Sequence, residues 1–209
     1  MILYIFLGFI SLFFFLQLVW RLASRHYTLP CPSWLGWLVE MDNPFDKTYR
    51  AGAIVQHLDI HSGMKVLDVG CGPGRLTIPV ARAISPGGEV VAIDIQQGMI
   101  RRAQQKAEAA GMNNIRFIHG GAAEAELERS EYDRALLVTV LGEIPDQASA
   151  LRVIFDALKV KGILSITKII FDPHFQSRKK ILGLASQVGF REKDFYGGSL
   201  VFTVNLEKP

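Results

Sequence analysis

The chain has 209 residues, of which 49% are apolar and 21% charged, and its formal net charge is +3. That length suits one domain, or one domain with an appendage, and the composition excludes a disordered or collagen-like chain. Two cysteines exclude a disulfide scaffold and any Cys-rich metal site, so no metal is expected. A charge this small does not point to nucleic acid.

Residues 1–20 carry no charge, and from Ile2 to Trp20 only Gly8, Ser11 and Gln17 are not clearly apolar. As a helix that run is about 28 Å long at ~1.5 Å per residue, close to the ~30 Å hydrocarbon core of a bilayer. Five phenylalanines leave it no polar face. The positive mean hydropathy of +0.22 has its source here. A cleaved signal peptide fits less well, because nothing charged precedes the run and Arg21-Leu22-Ala23-Ser24-Arg25 is a poor cleavage site. The reading is a single-pass anchor over 1–20, with the lipid bilayer as partner. Arg21 and Arg25 then place the bulk of the chain on the cytoplasmic side.

Residues 21–45 read as a juxtamembrane segment with Pro30, Pro32 and Pro44. Trp34, Leu35, Trp37, Leu38 and Met41 make a short apolar face, suited either to packing on the domain or to lipid headgroups and an apolar substrate.

From residue 46 to the C-terminus a third unit is expected, in which helices and short apolar strands alternate. The periodicity predicts helices over 46–59, 76–84, 98–110, 146–158 and 175–188. It predicts strands over 65–69, 89–94, 115–118, 132–140 and 163–170. Two final strands, 190–196 and 200–205, flank Gly197-Gly198, a hairpin signal. The fold class is therefore α/β. It is a Rossmann-like, seven-stranded, mostly parallel sheet with helices on both faces and a C-terminal antiparallel hairpin.

The strongest motif is Val66-Leu67-Asp68-Val69-Gly70-Cys71-Gly72-Pro73-Gly74, where a strand turns into a helix. Glycines let backbone approach a ligand without a Cβ clash, and the helix start beyond offers unpaired N–H groups. Asp94 ends the next strand, about 20 residues on, where an acid accepts ribose hydroxyl protons. A dinucleotide loop, G-x-G-x-x-G, would need glycine at position 75, which is Arg75. The G-x-G-x-G spacing after Asp68 suits a ligand with an amino-acid end instead.

On these residues the chain resembles the class I S-adenosylmethionine-dependent methyltransferases, from about Phe45 to the C-terminus. The resemblance is supported at Val91-Ala92-Ile93-Asp94, at Val140–Asp146 and at Ala157–Leu164. Within that family the chain is most similar to small lipid- and quinone-type members. The resemblance implies S-adenosylmethionine as cofactor. Gly70, Cys71, Gly72 and Gly74 would contact its methionine part, with Asp68 near its amino group. Asp94 would bind the ribose, Ile95 and Met99 the adenine, and Thr139 and Val140 would floor the sulfonium. Ala122 and Ala123 would lie in the loop that reaches the adenine. There Gly121 stands where the family often has Asp, and backbone groups or Glu124 are the replacements on offer.

Methyl transfer is an in-line displacement that needs proximity and orientation, so few catalytic side chains are expected. The candidates near the methyl are Tyr49, Glu143, Asp172 and His174. Each also has a plain structural reading: a half-buried aromatic, a helix-start charge, and loop residues. The expected reaction is methyl transfer to a small hydrophobic or membrane-resident acceptor, such as a lipid, a quinone, or an apolar thiol, amine or phenol. A tethered cofactor-binding module without turnover, and an NAD(P)-dependent oxidoreductase, are the alternatives.

Overall fold

The computed structural model describes residues 49–209 together with Tyr4, Leu7, Gly8, Ser11, Leu12, Phe15 and Val19. The seven N-terminal positions are helical, and Tyr4, Leu7, Leu12, Phe15 and Val19 are exposed. The anchor expected over 1–20 otherwise lies outside the described residues, as does the whole 21–45 segment. Among the described residues no helix is long and apolar enough to cross a membrane.

From residue 51 onward the order is α1 (Ala51–His57), β1 (Lys65–Val69), α2 (Thr77–Ala83), β2 (Glu89–Asp94), α3 (Gln97–Ala109) and β3 (Ile115–His119). It continues with β4 (Tyr132–Val138), a 3-10 turn (Leu141–Glu143), α4 (Gln147–Ala157), β5 (Leu158–Ile169), α5 (Arg178–Val188), β6 (Arg191–Gly197) and β7 (Val201–Glu207). The seven strands form one sheet in the order β3-β2-β1-β4-β5-β7-β6. The first five are parallel, and β7 runs antiparallel between β5 and β6. This is the expected sheet.

Strands β1 and β2 are buried along nearly their whole length, because helices cover both faces. Alternation assigns the two cores. Leu67, Ile93, Leu137 and Ile166 face α4 and α5. Val66, Val90, Ala92 and Leu136 face α1, α2 and α3. The outer strand β6 is largely exposed and carries Arg191, Glu192, Lys193 and Asp194, charges that discourage pairing at a free edge.

Local chemistry sets the element ends. Pro79 is the third residue of α2, within the first turn where its missing N–H costs nothing, so the helix starts at Thr77 rather than Leu76. The Asp146 side chain accepts the Ser149 N–H at 2.9 Å and caps α4. Gly111 and Gly189 end α3 and α5 in the left-handed region (φ +65° and +115°). Strand β5 departs most from the sequence expectation. It begins at Leu158, directly after α4, because Leu158 pairs with Tyr132 before a bulge over residues 159–162 shifts the register and pairing with β4 resumes at Ile163.

Leu137 is fully buried in central β4. Leu137→Ala is expected to cost about 2–5 kcal/mol of unfolding free energy in urea titrations, and a loss below about 1 kcal/mol would contradict its place in the core.

Candidate active site

Strand order reverses between β1 and β4, and ligands in open α/β sheets bind outside the carboxyl ends of strands at such a switch point. A cavity of about 350 Å³ lies there, a size typical of small-ligand sites. Its wall comes from Gly70 and Gly72 after β1, Asp94–Gln96 and Met99 after β2, residues 120–124 after β3, and Val138–Val140 with Glu143–Asp146 after β4.

The glycine loop is tied to β2. The Gly70 and Cys71 N–H groups both donate to the Ile93 carbonyl, at 2.8 and 2.9 Å. Gly70 has φ +72°, and a Cβ there would collide with the Val140 side chain. Gly72 has φ +53°, and a Cβ there would meet nothing within 4 Å. Its missing side chain leaves room that belongs to the cavity. Gly74 instead packs against Ala103 of α3 and lies off the cavity wall.

Asp94 joins loop and cavity. Its Oδ2 accepts the Gly72 N–H and its Oδ1 the Gln96 N–H, each at 2.8 Å. Burial pushes its carboxyl above the usual range, while those two N–H groups and His119 pull it back. Each oxygen keeps a lone pair for a ligand hydroxyl. Asp68 lies behind the loop, fully buried, and accepts the Thr77 hydroxyl at 2.6 Å. Burial lifts it to about 6, with the Thr77 bond opposing and the Asp94 charge adding.

Glu143 stands on the cavity wall among Val138, Val140, Ile144 and Pro145. Burial first, then the charges of Asp172 and Asp94, raise its carboxyl to about 8, against the opposing charge of Lys168. Thr139 also lines the cavity with φ +60°, an uncommon conformation for a branched residue, and its hydroxyl donates to the Val138 carbonyl at 2.7 Å.

Most of the expected site residues therefore converge: Gly70, Gly72, Asp94, Ile95, Met99, Ala122, Ala123, Thr139, Val140 and Glu143 share one cavity. Six others sit outside its wall, Asp172 among them. Asp68, Cys71 and Gly74 underlie the loop. Cys71 is buried beside two carboxylates that, with desolvation, push its thiol far up. Tyr49 is buried in the α1–α2 core, its carbonyl bound by Arg75 and its ring 4.4 Å from the Arg75 guanidinium. Position 75 thus serves the packing of Tyr49 rather than a phosphate. His174 is buried behind Gly142, where a Cβ would strike the His174 carbonyl. Sequence reasoning passed over Gln96, Ile144 and Pro145, which line the cavity only because two loops fold back over the sheet edge. At Gly121 the carboxylate of Glu124 occupies the space a Cβ would take. An acid therefore stands in the place of the missing Asp.

The family model described as a methyltransferase domain matches residues 60–194. The chain belongs to that family. The sequence resemblance to a methyltransferase domain is borne out over that span. It is 30% identical over 110 residues to the demethylmenaquinone methyltransferase of Geobacillus stearothermophilus, which covers 53% of this chain and 47% of that protein. The enzyme of the same name from Staphylococcus aureus strain JH9 is 32% identical over 111 residues, covering 53% and 45%. The chain thus spans about half the length of the curated relatives it matches. A SAM-dependent methyltransferase from Aquifex aeolicus superposes with a TM-score of 0.75 at 18% identity, covering 86% of this chain and all of that one. The fold also matches the [4+2]-cyclase SpnF, with a TM-score of 0.63 at 22% identity over 70% of this chain and 58% of that one.

The residues present fit S-adenosylmethionine. The space at Gly72 and the Asp94 carboxylate lie together for an amino-acid end and a ribose. Exposed Ile95 and buried Met99 offer apolar surface to a base, and Glu124 offers an acceptor.

In this chain Gly72→Val is expected to abolish S-adenosylmethionine binding in calorimetry, since the side chain enters the cavity at an unfavourable φ. Wild-type affinity in a folded variant would contradict the loop assignment. A second outcome follows from linkage. A carboxyl raised from an ordinary value of 4.5 to about 8 favours the folded state below 4.5, and that contribution fades as pH rises through 8. Glu143→Gln removes this loss, so its melting temperature should gain on wild type progressively between those pH values. A constant difference across that window would refute the burial of Glu143.

Proposed function

We propose that the chain transfers the methyl group of S-adenosylmethionine to a hydroxylated aromatic ring of quinone type, in its reduced, hydroquinone form. The observation that carries this reading is Glu143, a carboxyl standing among Val138, Val140, Ile144 and Pro145 on the wall that also holds Asp94. The names of the relatives from Geobacillus stearothermophilus and Staphylococcus aureus support the same acceptor class.

When bound, the donor supplies a methyl group on positively charged sulfur. The Asp94 lone pairs left over from Gly72 and Gln96 accept the ribose hydroxyl protons. The Glu124 carboxylate above Gly121 accepts from the adenine amine. Ile144 and Pro145 seat the acceptor ring against Val140. Glu143 takes the proton of the ring hydroxyl, which makes the ring electron-rich. Transfer of the methyl group to a carbon of that ring would leave the electron pair of the broken carbon–sulfur bond on sulfur. Loss of the ring hydrogen and return of the hydroxyl proton restore the aromatic ring, and one proton is released in total. A base near neutrality suits this step, because a hydroquinone hydroxyl ionises above the working pH.

The acid missing at 121 motivated the alternative of a non-turnover module, and the Glu124 carboxylate beside Gly121 weakens that motive. The nicotinamide reading conflicts with the family match. The uncharged run over 1–20 supports an acceptor held in the bilayer, with the domain on its cytoplasmic side.

The test is the full chain in detergent with methyl-labelled donor and 1,4-naphthohydroquinone, a phenol, a thiol and an amine in parallel. Label is expected in the methylated naphthohydroquinone. Labelling only of the thiol or the amine would reject the acceptor class. Asp94→Ala should weaken donor binding by about 1–3 kcal/mol, roughly five- to a hundred-and-fifty-fold in Kd. An unchanged Kd would remove Asp94 from the site.

A further inference from the structure

Lys168 and Asp172 form a fully buried ion pair at the carboxyl end of β5, with Nζ and Oδ2 3.0 Å apart. Lys168 Nζ also donates to the His174 carbonyl at 3.3 Å, and Asp172 Oδ1 accepts the His174 N–H at 2.8 Å. The pair therefore ties the end of β5 to the loop before α5. That loop lies directly against the loop carrying Glu143. Gly142 abuts the His174 backbone so closely that a Cβ would collide with it. One residue group further on, the Gln176 amide donates to Gln147 Oε1 at 2.9 Å. Two contacts thus clasp the β5–α5 loop to the β4–α4 loop, on either side of Glu143 in sequence.

A buried ion pair is a poor investment in stability alone, since apolar residues of similar volume do as well or better. Here its charges reach a carboxyl on the cavity wall. Among the described residues, the groups whose charges act on Glu143 are Asp172, Lys168 and Asp94, and the first two are the pair itself. We propose that Lys168 and Asp172 are positioning residues that hold Glu143 at the cavity wall and set whether it carries a proton. The inference rests on the reading of Glu143 as the group that takes the acceptor's proton. Neither member of the pair lines the cavity, so both act through Glu143.

The signs of the two charges make the test sharp. Asp172→Asn removes a negative neighbour and leaves Lys168, so Glu143 ionises more easily. Lys168→Met removes the positive neighbour and leaves Asp172, so Glu143 holds its proton to higher pH. The readout is the carboxyl infrared band of Glu143, identified by its absence in Glu143→Gln, followed against pH in the full chain with S-adenosylhomocysteine bound. The midpoint is expected to fall by about one pH unit in Asp172→Asn, to rise in Lys168→Met, and to return towards wild type in Lys168→Arg. If Lys168→Met fails to fold, Asp172→Asn and Lys168→Arg decide alone. The acid limb of kcat with 1,4-naphthohydroquinone should move with the midpoint, whereas a purely structural lesion lowers kcat by one factor at every pH. Unmoved midpoints, or midpoints shifting the same way in both charge-removing variants, overturn the proposal. Opposite shifts without turnover of any acceptor uphold the ion pair's control of Glu143 and reject the acceptor reading.

Discussion

Asp94 accepts two backbone N–H groups at once, one from Gly72 in the glycine loop and one from Gln96 at the start of α3. This carboxylate ties the glycine loop after β1 to the start of α3 and so shapes the part of the cavity wall that both loops supply. The loop glycines take left-handed backbone conformations that an Asp94 at the end of β2 then locks. Parallel pairing of Val69 with Ile93 puts the two strand ends level, so the bond is available without distortion. The cavity exists because the strand register brings a carboxylate to a loop that has spare N–H donors.

The same logic explains which parts of the fold were legible in the sequence. The boundaries of β1 and β2 are read correctly because each is a short apolar run bounded by glycine or charge, with both faces buried. The hairpin and both glycine-ended helices follow from backbone chemistry at single residues. The start of β5 was not legible. Leu158, Lys159, Val160 and Lys161 look like a helix end and a turn, and only pairing with Tyr132 draws Leu158 into the sheet. Tertiary pairing overrides local preference there, as it commonly does in strands.

The site divides in the same way. Residues contributed by strand ends and the glycine loop were legible, since period and motif fix where they point. Tyr49 and His174 were not. Each sits on an element beside the ligand edge, but its direction is set by a long-range partner: the Arg75 guanidinium for Tyr49, and Gly142 with Lys168 for His174. Glu124 illustrates the converse. The run Gly120-Gly121-Ala122-Ala123-Glu124 reads as a motif lacking its acid, yet a turn of three residues returns a longer acidic side chain over the empty glycine. A motif defined by residue position overlooks a side chain of different reach that arrives at the same place in space.

Fold alone does not carry the reaction. The sheet that superposes on an Aquifex aeolicus methyltransferase also superposes on a [4+2]-cyclase. What distinguishes one chemistry from another on this scaffold is the electrostatics of the few groups at the acceptor end. Around Glu143, two negative neighbours and burial outweigh one positive neighbour, so the balance favours a carboxyl that exchanges its proton near neutrality. Moved to the surface, the same carboxyl would be ionised throughout and too weak a base for a ring hydroxyl. Surrounded by apolar residues alone, it would keep its proton and accept none. The Lys168–Asp172 pair sits between these limits. Its near-cancelling charges let the loops pack tightly while leaving Glu143 sensitive to either partner, and that sensitivity is why small changes behind the cavity wall should reach the chemistry in front of it.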